Sequence, residues 1–174
     1  MALTVGRPEL LNEGGDALFR QVIHDALGFS ARLLEIRNRL GEAIGLSGPA
    51  YSILISIGHL AADGEVGVSR LSEHLHLSGA FVTMEVSKLV KEGLVTKAPD
   101  PEDGRRVRLA VTDKARALLE QLGETQRPVN DAIFADFDAE RFASFAKDIA
   151  ALVSGSEDAL SLLRFFAEQR RNRA

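Results

Sequence analysis

The sequence predicts a mainly α-helical fold that carries a helix-turn-helix followed by a two-stranded β-hairpin. Apolar residues recur at spacings of three, four and seven over most of the chain, which is typical of amphipathic helices. Between residues 69 and 92, two helical patterns flank the tight turn His76-Leu77-Ser78-Gly79. Residues 94–98 and 107–111 then read as strands on either side of a tip rich in Asp, Pro and Gly.

The composition is that of a globular protein. The 174 residues are 45% hydrophobic, which is enough for a sizeable core, and no run of about 18 apolar residues marks a membrane helix. The N-terminal segment is too short and too interrupted to act as a signal peptide. The absence of cysteine excludes disulfides, thiolate zinc sites and thiol redox switches. We therefore expect a cytoplasmic protein with no membrane association.

The distribution of charge is more informative than its sum. A formal net charge of −4 argues mildly against a nucleic-acid partner, because DNA-binding domains usually carry a basic footprint. Basic residues nevertheless cluster on the predicted hairpin and on the helix before it, at Lys88, Lys91, Lys97, Arg105, Arg106 and Arg108. Acidic residues concentrate towards the C-terminus, notably at Asp136, Asp138, Glu140, Glu157 and Asp158. A dimer of such chains can present a basic face and remain acidic overall.

A loose arm (residues 1–13) is expected to precede a long helix at 16–44. The apolar positions of this helix form a wide stripe, made of Leu18, Val22, Ile23, Ala26, Leu27, Phe29, Leu33, Ile36 and Leu40. So wide a stripe needs more than one partner surface, and we expect the helix to meet a second subunit as well as its own core. Gly28 and Gly41 are weak points within the helix.

Serine caps delimit the helices of the central region. The predicted N-caps are Ser47, Ser69 and Ser78, and the helices that they open are expected at 49–62, 70–75 and 79–92. Ser72 and Glu73 support Ser69 because their spacing resembles a capping arrangement. Gly93 stands where the last of these helices should stop.

The C-terminal region is expected to form three further helices. The first runs over 114–134, with Pro128 as a bend. The second, at 139–153, is broken by Ser154-Gly155-Ser156, and the last helix follows. We therefore divide the chain into an arm with a dimerisation helix, a helix-turn-helix with its hairpin, and a C-terminal dimerisation region, at residues 1–45, 46–112 and 113–174.

The hairpin tip combines turn-forming residues with two arginines. Its Asp, Pro and Gly residues fix the bend, and Arg105 and Arg106 follow directly. Guanidinium groups on such a finger suit a phosphate backbone or a minor groove, which favours a winged helix-turn-helix that binds DNA. The alternative is a solvated tip in which Asp103 pairs with Arg105. That pair alone is worth only about 0–1 kcal/mol, and the two interpretations are compatible because Asp103 can also orient the guanidinium.

The second helix of the motif is expected to expose a face of small and polar residues. Together with the start of the preceding helix and the hairpin, this face gives the predicted DNA contacts, which are Ser69, Ser78, Gly79, Ala80, Thr83, Met84, Ser87, Lys88, Asp103, Arg105 and Arg106. Small residues at the helix start let the backbone approach phosphates closely. The alternative is an ordinary solvent-exposed face.

Residues 46–122 resemble the MarR family, the multiple-antibiotic-resistance regulators. The resemblance rests on the order and spacing of several motifs, namely Leu46-Ser47 with Tyr51, Ser69-Arg70-Leu71-Ser72-Glu73-His74-Leu75, Leu77-Ser78, Gly93-Leu94-Val95, Asp103-Gly104-Arg105 and Leu109-Ala110-Val111-Thr112. It implies a winged-helix homodimer whose terminal helices form the interface. It also implies a recognition helix in the major groove, a wing arginine in the minor groove, and release from a pseudo-palindromic operator by a small aromatic anion.

Three residues of the recognition helix depart from the family pattern. Phe81, Met84 and Glu85 stand where relatives often have Thr or Ser, Arg and Leu. The missing arginine removes a strong reader of guanine. If Glu85 faced DNA it would repel phosphate, or else accept a hydrogen bond from a cytosine amino group. An apolar helix face with an acid also suits a protein groove, so the alternative function is a winged-helix protein-interaction module with weak or lost DNA binding.

Four polar residues on the two helices that should line an effector pocket are candidate ligand contacts. They are Arg20, His24, Tyr51 and His59, of which Arg20 or His24 could pair with a carboxylate. The alternative for the histidines is a structural role. We expect no metal site, because His74 and His76 are only two residues apart and no Cys pair supports them. We also expect no enzyme or cofactor, because no nucleophile elbow or phosphate-binding loop occurs.

Overall fold

The computed structural model describes residues 2–100 and 106–173. The observed fold is mainly helical with one antiparallel hairpin, as predicted. Its elements are α1 (Ala17–Ala43), α2 (Gly48–Leu60), α3 (Val68–Leu75), α4 (Gly79–Lys91), β1 (Val95–Pro99), β2 (Val107–Val111), α5 (Asp113–Ile133) and α6 (Ala139–Arg171). The chain divides into two compact units, residues 1–126 and 127–174.

Helix α2 is the centre of the first unit. Tyr51, Ile53, Leu54 and Ile57 are completely buried on it, and α1, α3, α4 and β2 pack around it. The hydroxyl of Ser47 accepts a hydrogen bond from the backbone N–H of Ala50 at 3.3 Å, which confirms this residue as the N-cap. Leu71, Val82, Val86 and Leu89 complete the buried surface from the helix-turn-helix.

The turn between α3 and α4 is formed as predicted, but the start of α3 is not. Helix α3 begins at Val68 with Gly67 as its N-cap, so the expected cap at Ser69 is wrong. The hydroxyl of Ser72 instead donates to the carbonyl oxygen of Leu77, across the turn. Glycine at the N-cap leaves the helix start without a side-chain bond, which costs only a few tenths of a kcal/mol relative to serine (about 0.3).

The hairpin joins α4 through a left-handed residue. Gly93 has φ of 71°, a conformation that favours glycine, and it ends α4 as expected. Strands β1 and β2 pair in antiparallel register, with Val95 opposite Val111. The hydroxyl of Thr112 donates to the carbonyl oxygen of Gly93 at 2.8 Å, so the base of the wing is closed by side chain as well as by backbone.

The C-terminal half of α1 lies very close to the start of α2. A Cβ atom on Gly41 would lie 3.0 Å from Cβ of Tyr51 and 3.1 Å from the carbonyl oxygen of Leu46. Gly41 therefore allows α1 and the start of α2 to approach each other closely. This explains why glycine, which has a low helix propensity, occurs within α1. The N-terminal half of α1 is different, because its large apolar residues are exposed at Leu18, Val22, Ile23, Leu27 and Phe29.

The N-terminal arm is fastened, which the sequence did not indicate. Asp16 is buried, and its carboxylate accepts hydrogen bonds from the backbone N–H and the hydroxyl of Thr4, both at 2.7 Å. Arg20 donates from Nε to the same carboxylate at 2.9 Å and from Nη2 to the carbonyl oxygen of Ala2 at 2.7 Å. These bonds tie residues 2–4 to the first turn of α1.

The second unit consists of the end of α5 and the whole of α6. Aromatic rings of Phe134, Phe137, Phe142 and Phe145 pack mostly edge to face, with centroids 5.2–6.5 Å apart. Helix α6 continues through residues 154–156, so the predicted break is wrong. One glycine costs a helix only about 1 kcal/mol, and the Ala- and Leu-rich sequence on both sides offsets it.

Among the described residues, no single helix is both long and apolar enough to cross a membrane. Helices α1 and α2 pass that test only when taken together, across a bend of 89°.

Candidate nucleic-acid interface

The predicted DNA contacts that the structure describes are all exposed. They are Ser69, Ser78, Gly79, Ala80, Thr83, Met84, Ser87, Lys88 and Arg106. Asp103 and Arg105 lie outside the described residues. The surface formed by α4, the start of α3 and the wing is therefore open to a partner at each of the nine described positions.

The N-terminus of α4 is built to approach a surface closely. Ser78 caps it, and its hydroxyl accepts a hydrogen bond from the backbone N–H of Phe81 at 3.3 Å. The next two residues, Gly79 and Ala80, are small and exposed, and nothing lies within 4 Å of the position of a Cβ on Gly79. A capped helix start with small side chains brings its positive dipole end near a phosphate.

The hydroxyl groups further along α4 are already engaged. Thr83 donates from Oγ1 to the carbonyl oxygen of Gly79 at 2.8 Å, and Ser87 donates from Oγ to that of Thr83 at 2.7 Å. Their donor protons therefore satisfy the helix itself, and each hydroxyl oxygen can still accept a bond from outside. This part of α4 presents acceptors and methyl or methylene groups.

Glu85 does not face outward, although Met84 does. Glu85 is 3% exposed, whereas Met84 is 48% exposed. In this conformation the carboxylate of Glu85 neither meets a phosphate nor reaches a cytosine amino group. Both of these contacts were expected only if Glu85 faced the DNA, so neither applies. The helical pattern contains the reason: residues 82, 85, 86 and 89 share one face of α4, and that face packs on the core.

The wing is anchored to the helical lobe at its base. The backbone N–H of Leu109 donates to the carbonyl oxygen of Val66 at 2.8 Å, so β2 is bonded to the segment before α3 as well as to β1. Arg108 lies between two carboxylates: it forms an ion pair with Glu65 and donates from Nε to Asp100 at 3.2 Å. Arg108 is therefore a structural residue of the wing, and its charge is not available in the way that the sequence implied.

A cleft of about 470 Å³ lies where the wing meets the start of α3. Its charged lining contains both signs, supplied by Glu65, Arg70, Glu73, Asp100, Arg106 and Arg108. Arg70 donates to the carbonyl oxygen of Glu65 at 2.9 Å, which adds a further link across the cleft. The ion pairs stabilise the junction and leave Arg106 as the exposed, described arginine nearest the tip.

Comparisons with known proteins agree with this architecture. Residues 44–106, which contain the helix-turn-helix, match the MarR family model. The HTH-type transcriptional repressor IacR of Pseudomonas putida is 29% identical over 96 residues, which is 55% of this chain and 56% of that relative. The chain thus spans about half the length of the curated relatives it matches.

Solved structures share the fold over most of the chain. A MarR protein from Peptoclostridium difficile matches with a TM-score of 0.65 at 21% identity, covering 88% of this chain and 96% of that one. The PcaV transcriptional regulator from Streptomyces coelicolor, solved with its natural ligand, matches with a TM-score of 0.55 at 25% identity, covering 74% and 91%. The helix-turn-helix region of the chain, residues 44–106, is thus similar to the MarR family. The curated relatives that it matches are named as transcription regulators.

The four residues predicted to bind an effector do not come together within one subunit. Arg20 is engaged with Asp16 and Ala2, and His24 is exposed one turn further along α1. Tyr51 contacts α1 at Arg37, where the guanidinium carbon lies 5.7 Å from the centre of the ring. Because Arg37 is 13 residues beyond His24, a rise of 1.5 Å per residue separates them by about 20 Å along the helix.

A cleft of about 360 Å³ lies instead beside the C-terminal half of α1. It is lined by Arg37, Ile55, Ser56, His59 and His74. Arg37 donates to the hydroxyl of Ser52 at 3.2 Å, which directs its guanidinium onto α2. Sequence reasoning identified His59 but missed Arg37. The sequence did contain a sign of Arg37, because this residue lies on the same apolar stripe of the helix as Leu33 and Leu40. A cation at such a position requires a polar partner.

The pKa of two side chains near this cleft is shifted. Burial raises the pKa of the Tyr51 hydroxyl, a shift that the nearby positive charge of Arg37 partly opposes. His74 is exposed, but partial desolvation of its ring lowers its pKa, and the adjacent ring of His59, with its centre 5.8 Å away, lowers it further. Oη of Tyr51 has no hydrogen-bond partner among the residues that the structure describes. Over the same residues, no three His, Cys, Asp or Glu side chains are grouped as metal ligands would be.

Proposed function

We propose that this protein is a homodimeric transcription repressor of the MarR type. It binds a pseudo-palindromic DNA operator through α4 and the wing, and a small aromatic anion releases it. The observation that carries the proposal is the exposure of all nine described contact residues on one continuous motif, with a serine-capped, small-residue helix start. The name of IacR, a transcriptional repressor, supports the direction of regulation.

The dimer is proposed to form through residues 1–45 and 113–174. The exposed apolar residues of α1 and α6 support this, because so many large apolar side chains rarely face water on a monomer. In a twofold dimer, two copies of α4 would enter successive major grooves about one helical turn apart, roughly 34–36 Å.

Effector release is proposed by analogy with the natural ligand of PcaV. Tyr51 and His59 stay as candidate contacts within one subunit, and Arg20 and His24 would have to reach an effector from another subunit. The effector must bind one arrangement of the two DNA-binding lobes better than the other, since a ligand without differential affinity shifts no equilibrium. A thermal-shift screen of small aromatic acids tests for such a ligand, because binding to the native state raises the melting temperature.

DNA binding is tested with Arg105→Ala and Arg106→Ala, measured by anisotropy on the duplex upstream of the chain's own gene. Each substitution should weaken binding at least tenfold, because it removes a cation from the hairpin that is proposed to meet the DNA. The melting temperature, measured alongside, checks that each variant is folded. Arg39→Ala removes the same charge from α1, where the side chain is 72% exposed, and serves as the matched control. Equal affinity of all three variants and the wild type would remove the wing from the mechanism.

A protein-interaction module is the second candidate. Exposed Met84 still favours it, but buried Glu85 no longer contributes to that surface. Salt dependence separates the two functions, since phosphate contacts weaken steeply between 50 and 200 mM salt, by roughly 3.5-fold for each contact. A flat response of DNA affinity to salt would favour the protein partner.

A further inference from the structure

Glu85 and Lys88 form an unusual ion pair on the recognition helix. The Nζ atom of Lys88 donates to Oε1 of Glu85 at 2.6 Å, one helical turn away. The two partners differ sharply in exposure: the side chain of Glu85 is 5% exposed and that of Lys88 is 56% exposed. The carboxylate is thus enclosed by the core, and the ammonium reaches it from the solvent side.

The other carboxylate oxygen of Glu85, Oε2, is buried and has no hydrogen-bond partner among the described residues. Lys88 is therefore the cation that compensates an enclosed negative charge. If Lys88 left to bind a phosphate, it would leave a buried carboxylate unpaired, which is among the most costly rearrangements in a protein interior.

This arrangement affects the charge that α4 offers to DNA. The cations of α4 are Lys88 and Lys91, and Lys91 lies in its last turn. A carboxylate 2.6 Å from the ammonium opposes part of its field, so Lys88 attracts a phosphate more weakly than an unpaired lysine would. A pair with one buried partner also resists screening by salt better than an exposed pair does. The pair adds no net formal charge to the middle of α4.

We propose that Glu85 is a positioning residue that holds Lys88 on the protein and so limits the sequence-independent attraction of α4 for DNA phosphates. The inference rests on the proposed DNA-binding function. Its consequence is selectivity: binding depends on the wing and on the groove contacts of α4, and less on a general attraction between lysine and the backbone.

The test compares wild type with Glu85→Gln, Lys88→Gln and the double variant. Affinity is measured from 50 to 200 mM salt, on the duplex upstream of the chain's own gene and on a random duplex of equal length. Glu85→Gln should bind the random duplex more tightly, with a slope of log affinity against log salt that is steeper by about 0.9 per subunit. In the double variant, the loss of the Lys88 ammonium should abolish this gain.

Two further variants serve as controls. Lys91→Gln combined with Glu85→Gln should leave the gain intact, because Lys91 lacks the carboxylate partner. Glu85→Met, of similar volume, replaces Glu85→Gln if thermal melting shows that the glutamine variant is unfolded.

The outcomes distinguish the two proposals. A loss of tenfold or more for Lys88→Gln alone overturns the inference, because it shows that Lys88 already contacts phosphate. An unchanged salt slope for the Glu85 variants, or a gain that survives in the double variant, overturns it as well. If wild type binds neither duplex at 50 mM salt, the proposed function fails, and the inference fails with it.

Discussion

Among the described residues of the first unit, two carboxylates are buried, and each is compensated by a cation on its own helix. Asp16 pairs with Arg20 at i+4 and Glu85 pairs with Lys88 at i+3. Arg20, and then the bonds from Thr4, hold the pKa of Asp16 well below its usual range. A lowered folded pKa contributes stability above the ordinary value of 3.8, and that stability is lost only as pH falls through the lower folded value. The fastening of the arm therefore persists across neutral and mildly acidic pH.

His74 gives a dependence of the same sign, in a more accessible range of pH. Its folded pKa is lowered from the ordinary value of 6.5, chiefly by partial desolvation of the ring, so the unfolded chain binds a proton that the folded chain resists. We expect the free energy of unfolding to fall as pH drops below about 6.5, and His74→Gln to remove that part of the decrease. Urea denaturation at pH 7.5 and 5.5 measures it. The exposed residue His24, replaced by Gln, is the control, and equal pH dependence in both variants would contradict the prediction.

At the scale of elements, the wing is held by its base. Arg108 bridges Asp100 at the end of β1 and Glu65 before α3, and the backbone bond from Leu109 to Val66 runs beside it. These links fix the direction in which the hairpin projects from the helical lobe. The tip residues that are proposed to meet DNA are thus carried by a strand with partners on both sides.

Replacing Arg108 with Met should loosen the wing without unfolding the protein. The ion pairs are partly exposed, so we expect a loss of about 1 kcal/mol or less in the free energy of unfolding. Amide hydrogen exchange should nevertheless accelerate at Leu109 and Asp100, whose backbone bonds depend on the same junction. Lys97→Met makes the same charge change on an exposed position of β1. Acceleration in the Lys97 variant alone would show that Arg108 does not fix the wing.

The sequence predicted those elements whose signals are local. The caps Ser47 and Ser78, the left-handed stop at Gly93 and both strands were all identified, because each depends on a few adjacent residues. The break expected at 154–156 was wrong, since a weak local signal was outweighed by the flanking helix formers. At the site, the exposed contacts of α4 followed from periodicity. The partners of Arg108 and Arg37 did not, because they depend on contacts distant in sequence.

At the scale of the whole molecule, the apolar surface of α6 lacks cover within the subunit. None of its residues is buried, and its large apolar residues are exposed at Phe142, Ile149, Leu152, Val153, Leu160, Leu162, Leu163, Phe165 and Phe166. A helix that is apolar on several sides is stable in water only when another surface covers it. The proposed second subunit would supply that surface.

Leu163→Asp tests whether α6 belongs to the dimer interface. Placing a carboxylate in an apolar contact is costly, so the dissociation constant of the dimer should rise at least tenfold. Analytical ultracentrifugation over a dilution series measures it. Ser161→Asp adds the same charge to an exposed polar position of α6 and should leave the dimer intact. A Leu163 variant that remains dimeric at every concentration would place the interface elsewhere.

Close contacts around Gly41 restrict which amino acids this position can accept. Even a methyl group there meets Cβ of Tyr51 and two backbone carbonyl oxygens at 3.0–3.2 Å, and the carbonyls cannot rotate away as a side chain can. A saturation library at this codon, sorted for folded molecules, should therefore return glycine almost exclusively. At Gly155 nothing lies within 4 Å, and the same library should return many amino acids, with alanine the most stable.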